Sequence, residues 1–414
     1  MYLLRIAVRN LFRRRRRTLI ISGVLALAIF FGLLMDSFMG GMLEISFGNI
    51  IDFETAHLEI GQEEFLADDG DFPLDELFVP REEITTQVQN LDGYQGMTPV
   101  LDFSASFIAG REEFPIIVRA VEPDSYGQVF RTPEYVVEGD FIEPGDTGLV
   151  IGSNLAEMMR LEVGDFYTLR FRDERDSLNT MQGDIKGIVT TPHPDMNLST
   201  VYVDREYAVE ALGLEEPAAA SQLMVRMGDR TSSLGAASEL RESLSKSGLA
   251  VYTWEDSSEM LLALREWGDI EIYFIMALIV LVGAIGIINL VVLSAIERVE
   301  EIGMMKAMGL KESQIVKIFL LEAGGVGVLG GLIGSLLSAA GIAFLKYVGV
   351  DLQLIYGDAI LEMGIPIMGK MYGTWNLSWF IFFFIFSVII SVLASIIPSY
   401  WAAKKNPVDA IYHR

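Results

Sequence analysis

The chemistry open to this chain is set by what it lacks. His57, His193 and His413 lie far apart, and none belongs to an H-E-x-x-H pair that would hold zinc on one helix face. No G-x-S-x-G turn presents a serine nucleophile. Gly369-Lys370 is followed by Met371, so no G-x-x-x-x-G-K-[S/T] loop exists to cradle a nucleotide phosphate. Acidic pairs such as Glu63/Glu64 and Asp68/Asp69 offer oxygen ligands to a hard cation, but on so acidic a surface such pairs are ordinarily solvated. The reading is a non-catalytic chain with no cofactor or metal of its own. What it carries instead is a contact element, ERVEEIGMMKAMGLKESQIVKIFLLE, Glu297 to Glu322, between two long apolar runs. Glu297, Arg298, Glu300 and Glu301 open it, Met304, Met305 and Met308 make a soft apolar patch, and Gly309 suits the end of a helical turn. Residue types alone leave two uses for the patch open: docking into a partner's groove, or lying among lipid headgroups.

The elements that must position this patch are membrane spans. Of 414 residues, 51% are hydrophobic, and the mean hydropathy is +0.38, too apolar for an ordinary soluble protein. Four runs are long enough to cross a bilayer: Thr18–Met35, extendable to Gly40, then Ile272–Ile296, Phe319–Leu345 and Leu377–Ile397. The expected fold class is an α+β membrane protein, with four transmembrane helices and a large extracytoplasmic mixed α/β domain between the first and second. The expected division begins with a cytoplasmic interfacial helix and basic run (1–17), the first span (18–40) and the extracytoplasmic domain (41–265). The second span (270–296), a cytoplasmic coupling segment (297–318) and the third span (319–346) follow. An outer loop (347–376), the fourth span (377–400) and a cytoplasmic tail (401–414) complete it.

Charge sets the orientation. Arg5, Arg9 and Arg13 to Arg17 precede the first span with no acidic residue among them, which places the N-terminus in the cytoplasm. Four spans return the C-terminus to the same side, and residues 41–265 face outward. That stretch holds 43 acidic and 15 basic residues, a net of −28, against +3 for the remainder. Such negativity argues against nucleic acid or an anionic membrane surface as its partner. With no cysteine, the outward domain is held by its own core. In residues 1–12, Leu3, Leu4, Ala7, Val8 and Leu11 share one helical face with Arg5 and Arg9 off it, the pattern of an interfacial helix.

Within the outward domain, Thr55–Ile60, Ile116–Val121, Gly148–Ile151, Phe166–Phe171 and Val201–Val203 read as strands. Asn154–Arg160 and Ser232–Ser247 read as helices, and the acidic, turn-rich Gln62–Arg81 as a mobile loop. Ser257–Trp267, with Met260, Leu261, Leu264 and Trp267 in helical register, leads into the second span, and Asp36–Phe47 prolongs the first, so both are expected to be stalk helices. In the third span Gly327/Gly331 and Gly330/Gly334 are small-x-x-x-small pairs, which let helix backbones approach closely.

The run Glu301-Ile302-Gly303, Lys306-Ala307-Met308-Gly309, Ile315, Phe319, Glu322 resembles the signature of the FtsX/MacB/Lol-type (type VII, mechanotransmission) ABC transporter permeases. Ile6-Ala7-Val8-Arg9-Asn10-Leu11 and the arginine run are similar to that family's N-terminal helix. Ala56-His57-Leu58-Glu59-Ile60 resembles the Gly-His-Leu/Ile-x-Ile stretch of lipoprotein-releasing permeases, with Ala56 in place of glycine. Ile151-Gly152-Ser153-Asn154-Leu155-Ala156, with Leu161, Val163, Gly164 and Asp165, is similar to the family's Gly-x-x-Leu-Ala…Gly-Asp run. Pro398, Ala402, Ala403, Pro407, Val408, Ala410 and Ile411 resemble its closing motif. Glu300 stands where the family often has a basic residue, and Leu310 replaces a common Ala or Ser.

The resemblance implies partners and a site. A separate cytoplasmic ABC ATPase, in two copies and itself binding ATP and Mg, would dock on Glu301, Ile302, Gly303, Met304, Lys306, Ala307, Met308 and Gly309. A second permease subunit, identical or homologous, would complete the assembly in the cell inner (plasma) membrane, and the periplasmic domain would consist of two small α/β subdomains. The nearest branch is the lipoprotein-releasing system. It implies lipoprotein extraction, with lipoproteins and a periplasmic lipoprotein chaperone as partners. MacB-like efflux or peptide export and FtsX-like control of a cell-wall hydrolase are the alternatives. Apolar composition places a cavity for acyl chains around Phe30, Phe31, Phe38, Met39, Met42 and Ile275.

Overall fold

The computed structural model describes residues 2–13, 15–67, 72–109, 112–244, 247–256, 259–297, 299–351 and 370–404. Helices α1 (Tyr2–Arg13) and α2 (Arg15–Ile50) lead through one π-helical turn, Ile51–Thr55, into strand β1 (Leu58–Gln62). Short helices α3 (Glu63–Leu66) and α4 (Glu82–Gln89) precede the hairpin of β2 (Tyr94–Ala109) and β3 (Glu112–Val121). Next come α5 (Pro123–Val129), β4 (Val136–Gly139), β5 (Leu149–Gly152), α6 (Ser153–Met159), β6 (Phe166–Arg172) and β7 (Leu178–Val189). They are followed by α7 (Pro194–Ser199), β8 (Thr200–Asp204), α8 (Arg205–Leu212), β9 (Gln222–Met227), α9 (Arg230–Leu244) and β10 (Leu249–Thr253). The chain then runs through α10 (Glu259–Glu297), α11 (Val299–Ala307), α12 (Glu312–Val348) and α13 (Leu377–Lys404). Two compact units result: Met1–Met42 with Leu264–Val350 and Met371–Arg414, and Leu43–Ala263 with Asp351–Lys370.

The second unit is built on one mixed sheet in the order β10-β1-β9-β2-β3-β8-β5-β7-β4, with β6 pairing to both β2 and β7. β2 joins its two ends. Its first half pairs with β9 and its second half with β6, while β3 runs beside it throughout the hairpin. Alternation along β2 assigns its faces: Leu101, Phe103, Ala105 and Phe107 enter one core with Leu149, Leu155 and Leu169, whereas Val100 joins Phe53, Tyr126 and Phe130 in another. A third core gathers Leu58, Ile60, Val225, Leu240 and Leu244 under α9. The fold class is as expected, four candidate membrane helices and a large mixed α/β domain.

Several expectations change. Thr55–Ile60 is not strand from its start, because helical structure persists to Thr55 and pairing begins only at Leu58. The acidic segment after Gln62 is largely ordered: Phe65 is buried, Leu74 and Leu77 pack on a core, and Phe78 and Ala220 exchange backbone hydrogen bonds of 2.9 and 2.8 Å. Residues 68–71 of that segment, 352–369 of the outer loop and 405–414 of the tail lie outside the described residues. The side chains of Met260, Leu261, Leu264 and Trp267 also lie outside them, although the backbone of Glu259–Glu297 is one helix.

Among the described residues four helices are long and apolar enough to cross a membrane, Arg15–Thr55, Tyr273–Glu297, Glu312–Val348 and Leu377–Lys404. The glycines of α12 serve two neighbours. A Cβ on Gly330 would stand 2.9 Å from Leu25 of α2, and one on Gly334 2.9 Å from the Ala26 carbonyl oxygen. Gly327 and Gly331 face α13 instead, where Ser387, Ser391, Ser395 and Ser399 recur every fourth residue, all fully buried. The Ser387 hydroxyl donates to the Gly327 carbonyl at 3.2 Å, and Ser391 to the Ser387 carbonyl at 2.7 Å. Small side chains on both helices thus let the backbones touch, and the hydroxyls of Ser387, Ser391 and Ser395 donate to main-chain oxygens. A Cβ on Gly327 would meet the Ser387 carbonyl at 2.9 Å, whereas one on Gly23 meets nothing within 4 Å. Gly327→Ala is therefore expected to destabilise the detergent-solubilised protein by about 1–3 kcal/mol in thermal unfolding. Gly23→Ala should be neutral or stabilising.

Candidate functional site

The segment between the second and third spans is built by a helix stop. α11 ends on Gly309, whose φ of +93° is open to glycine at no steric cost. The Gly309 amide donates to the Lys306 carbonyl at 2.9 Å, and the Leu310 amide to the Met305 carbonyl at 3.0 Å. This pair is the Schellman closure, in which a left-handed residue just past the helix lets two amides satisfy its last carbonyls. The chain reverses at once, and the Lys311 amide donates to the Gln314 side-chain oxygen at 2.9 Å at the start of α12. α12 thus begins at Glu312, ahead of the expected start at Phe319, because Ile315 and Ile318 already have a core to enter.

The reversal sorts the expected contact residues into two faces. Ile302 and Gly303 turn inward, and Ile302 packs with Ile287, Val291, Ala295, Ile315, Phe319, Ala402 and Ala403. Met304 and Met308 turn outward, 54% and 74% exposed, with Ala307 and Gly309 beside them. Glu301 accepts from Arg13 at 3.0 Å, and Lys306 pairs with Glu312 across the turn at 3.3 Å. Sequence reading did not foresee the second wall. Ile6, Arg9, Asn10 and Arg13 of α1 line a groove of about 530 Å³ with Glu301, Met304, Met305, Ala307 and Met308. α1 is fixed there by Asn10, whose side-chain amide donates to the buried Glu322 carboxylate at 2.5 Å, and by Leu11 against Gly325.

In the apolar set near the first span the rings of Phe30 and Phe31 meet edge to face, 5.3 Å between centroids. Phe30 approaches Gly341 of α12, Ile275 approaches Gly32 beside Phe383, and Phe31 is 63% exposed. Phe38, Met39 and Met42 are half-buried along α2.

A second cluster lies in the sheet unit, where the chain leaves α2. The Glu44 carboxylate pairs with Arg230, whose guanidinium lies over the rings of Phe47 and Trp254. Asp52 accepts from Arg226 of β9 at 2.7 Å and stands 3.7 Å from Arg131. Glu54 pairs with His193 at 3.2 Å, and its backbone carbonyl accepts from Arg119 at 3.1 Å. Arg119 in turn forks onto the buried Asp102. Of the few basic residues in an acidic domain, four are spent on this junction; that scarcity was the only sequence signal for it. Ala56, just beyond, sits at φ 54°, ψ −155°, a region that costs a residue with a Cβ on the order of 1–3 kcal/mol.

Residues 273–407 match the FtsX-like permease C-terminal family. It is similar to an uncharacterized ABC transporter permease of Methanocaldococcus jannaschii, 23% identical over 237 residues, 55% of this chain and 56% of that protein. It is also similar to the macrolide export ATP-binding/permease protein MacB of Nitrobacter winogradskyi, 29% identical over 146 residues, 33% of this chain and 18% of that protein. The lipoprotein-releasing system transmembrane protein LolC of Xylella fastidiosa is 18% identical over 246 residues, 58% of each chain. The matches thus span little more than half of these relatives at most.

The junction titrates. Burial opposes a charge on His193, but the Glu54 carboxylate outweighs it and holds the imidazole pKa above its usual value. A raised folded-state pKa gives stability that is full below about 6.5, the unfolded value, and is lost as pH rises through the folded one. His57 behaves oppositely: burial first, then Arg226, pushes its pKa down to about 4, so its share is lost as pH falls from about 6.5 toward that value. His193→Gln should therefore cost more stability at about pH 6 than at about pH 9 in thermal unfolding of the full chain.

Proposed function

We propose that this chain is the permease subunit of an ABC transporter of the MacB/LolC/FtsX type, driven by a separate cytoplasmic ATPase that docks in the groove between α1 and α11. The observation that carries the reading is the split of the segment into a buried Ile302–Gly303 face and an outward Met304–Met308 face beside α1. Exposed methionines on a short braced helix suit a partner cleft, since a flexible thioether adapts to the surface it meets. In this reading both termini are cytoplasmic, residues 41–265 are periplasmic, and the assembly holds two ATPases and a second permease, identical or homologous. ATP and Mg belong to the ATPase. Movement of the docked segment is carried by α2 and α10 and works on a substrate already outside the membrane.

The work we favour is lipoprotein extraction from the inner membrane, with a periplasmic chaperone as acceptor; similarity to LolC over 58% of the chain supports it. Similarity to MacB supports a second reading, efflux or peptide export. Depletion separates them: retained lipoproteins in the inner membrane favour the first, and drug sensitivity with normal lipoprotein sorting favours the second. For docking, Met304→Glu with Met308→Glu should reduce ATPase co-purification at least about tenfold, since charge enters an apolar contact. Membrane insertion should stay intact. Unchanged co-purification would remove the groove as the dock.

A further inference from the structure

We propose that the arginines where α1 meets α2 form a binding site for the phosphodiester headgroup of an anionic phospholipid. The inference depends on α2 being a membrane span and not on the identity of any ATPase or substrate. A groove of about 490 Å³ opens there, lined by Arg13, Arg15, Arg16, Arg17 and Glu297. Two of these arginines are occupied: Arg13 pairs with Glu301 at 3.0 Å, and Arg17 pairs with Glu297 at 3.5 Å and donates to the Asn289 carbonyl at 3.0 Å. Arg15 and Arg16 are exposed, and neither takes part in the ion pairs found among the described residues. Four guanidinium groups against the two carboxylates of Glu297 and Glu301 leave the groove net positive. Planar guanidinium forks match the paired oxygens of a phosphodiester.

Position and neighbours favour a lipid over a soluble phosphate. The apolar run of α2 starts at Thr18, directly after these arginines, which sets them at the depth of the phosphate layer when α2 spans. Beside them α1 presents three faces. Ala7, Asn10 and Leu11 pack toward α12. Leu4, Val8 and Phe12, four residues apart, form an outward stripe 55%, 43% and 68% exposed. Arg5, Arg9 and Arg13 run alongside as a basic stripe. An anionic phospholipid answers all of this at once, with acyl chains against the apolar stripe and its phosphate in the arginine groove.

The test uses the full chain in nanodiscs of equal phosphatidylcholine and phosphatidylglycerol, with retained lipid read by native mass spectrometry. Phosphatidylglycerol should be held preferentially, and Arg15→Gln with Arg16→Gln should lower its retention roughly thirtyfold. Arg15→Lys with Arg16→Lys should fall between, since charge remains and the fork is lost. Circular dichroism checks that the variants keep their helicity, and Arg16→Gln alone is read if the double variant does not fold. Equal retention of both lipids, or retention unchanged in the glutamine variants, overturns the site. Displacement of phosphatidylglycerol by submillimolar glycerol 3-phosphate overturns the lipid as its ligand.

Discussion

The ion pair between Asp52 and Arg226 is the contact on which the use of α2 depends. It ties the π-helical turn at the end of α2 to β9, an interior strand of the sheet. Arg226 also donates to the Val129 carbonyl, so the guanidinium is fixed from two sides before it meets the carboxylate. Removing Arg226 leaves Asp52 only the 3.7 Å approach of Arg131, and removing Asp52 leaves Arg226 only the Val129 carbonyl, so either loss destabilises this partly buried junction. Around this pair Glu44, Phe47 and Glu54 add attachments from successive turns. A helix held at several points along its last turns passes displacement to the sheet, whereas one ending in a solvated linker would dissipate it.

The other end is organised by a different force. Near the α11 segment the fixed points are apolar burial of Ile302 and the Schellman stop at Gly309, with Arg13 and Arg17 pairing to Glu301 and Glu297. The exposed ion pairs contribute little to stability. Their role is to set orientation, keeping α1 and α11 as the two walls of one groove. Between the ends, α12 packs glycine against α2 on one side and against the serine stripe of α13 on the other. Such contacts leave little room for compression between these helices.

How much of this was legible follows from the range of the interactions. The spans, the β-branched strands β3, β5, β6 and β8, and the stop at Gly309 were readable because local composition decides them. β2 and β7 escaped because Gly96, Pro99 and the polar start of β7 mask their alternation, and tertiary pairing overrides weak propensity. The serine stripe of α13 was readable from its four-residue spacing, yet serine in an apolar run is easily taken for neutral filler. The junction was not readable at all: Asp52 and Arg226 are 174 residues apart, and only the fold brings them together. The groove beside α11 was half legible, its methionines from composition and its α1 wall only from Asn10 meeting Glu322.

In the proposed function, force enters at α11 and reaches the sheet unit through the anchored end of α2. The most direct test is the charge swap at that anchor, in the chain reconstituted with the proposed ATPase partner in liposomes. The account predicts that Arg226→Asp lowers substrate release at least about tenfold while ATP hydrolysis stays within about twofold, and that adding Asp52→Arg restores release. Loss of hydrolysis and release together, or normal release from Arg226→Asp alone, would contradict it.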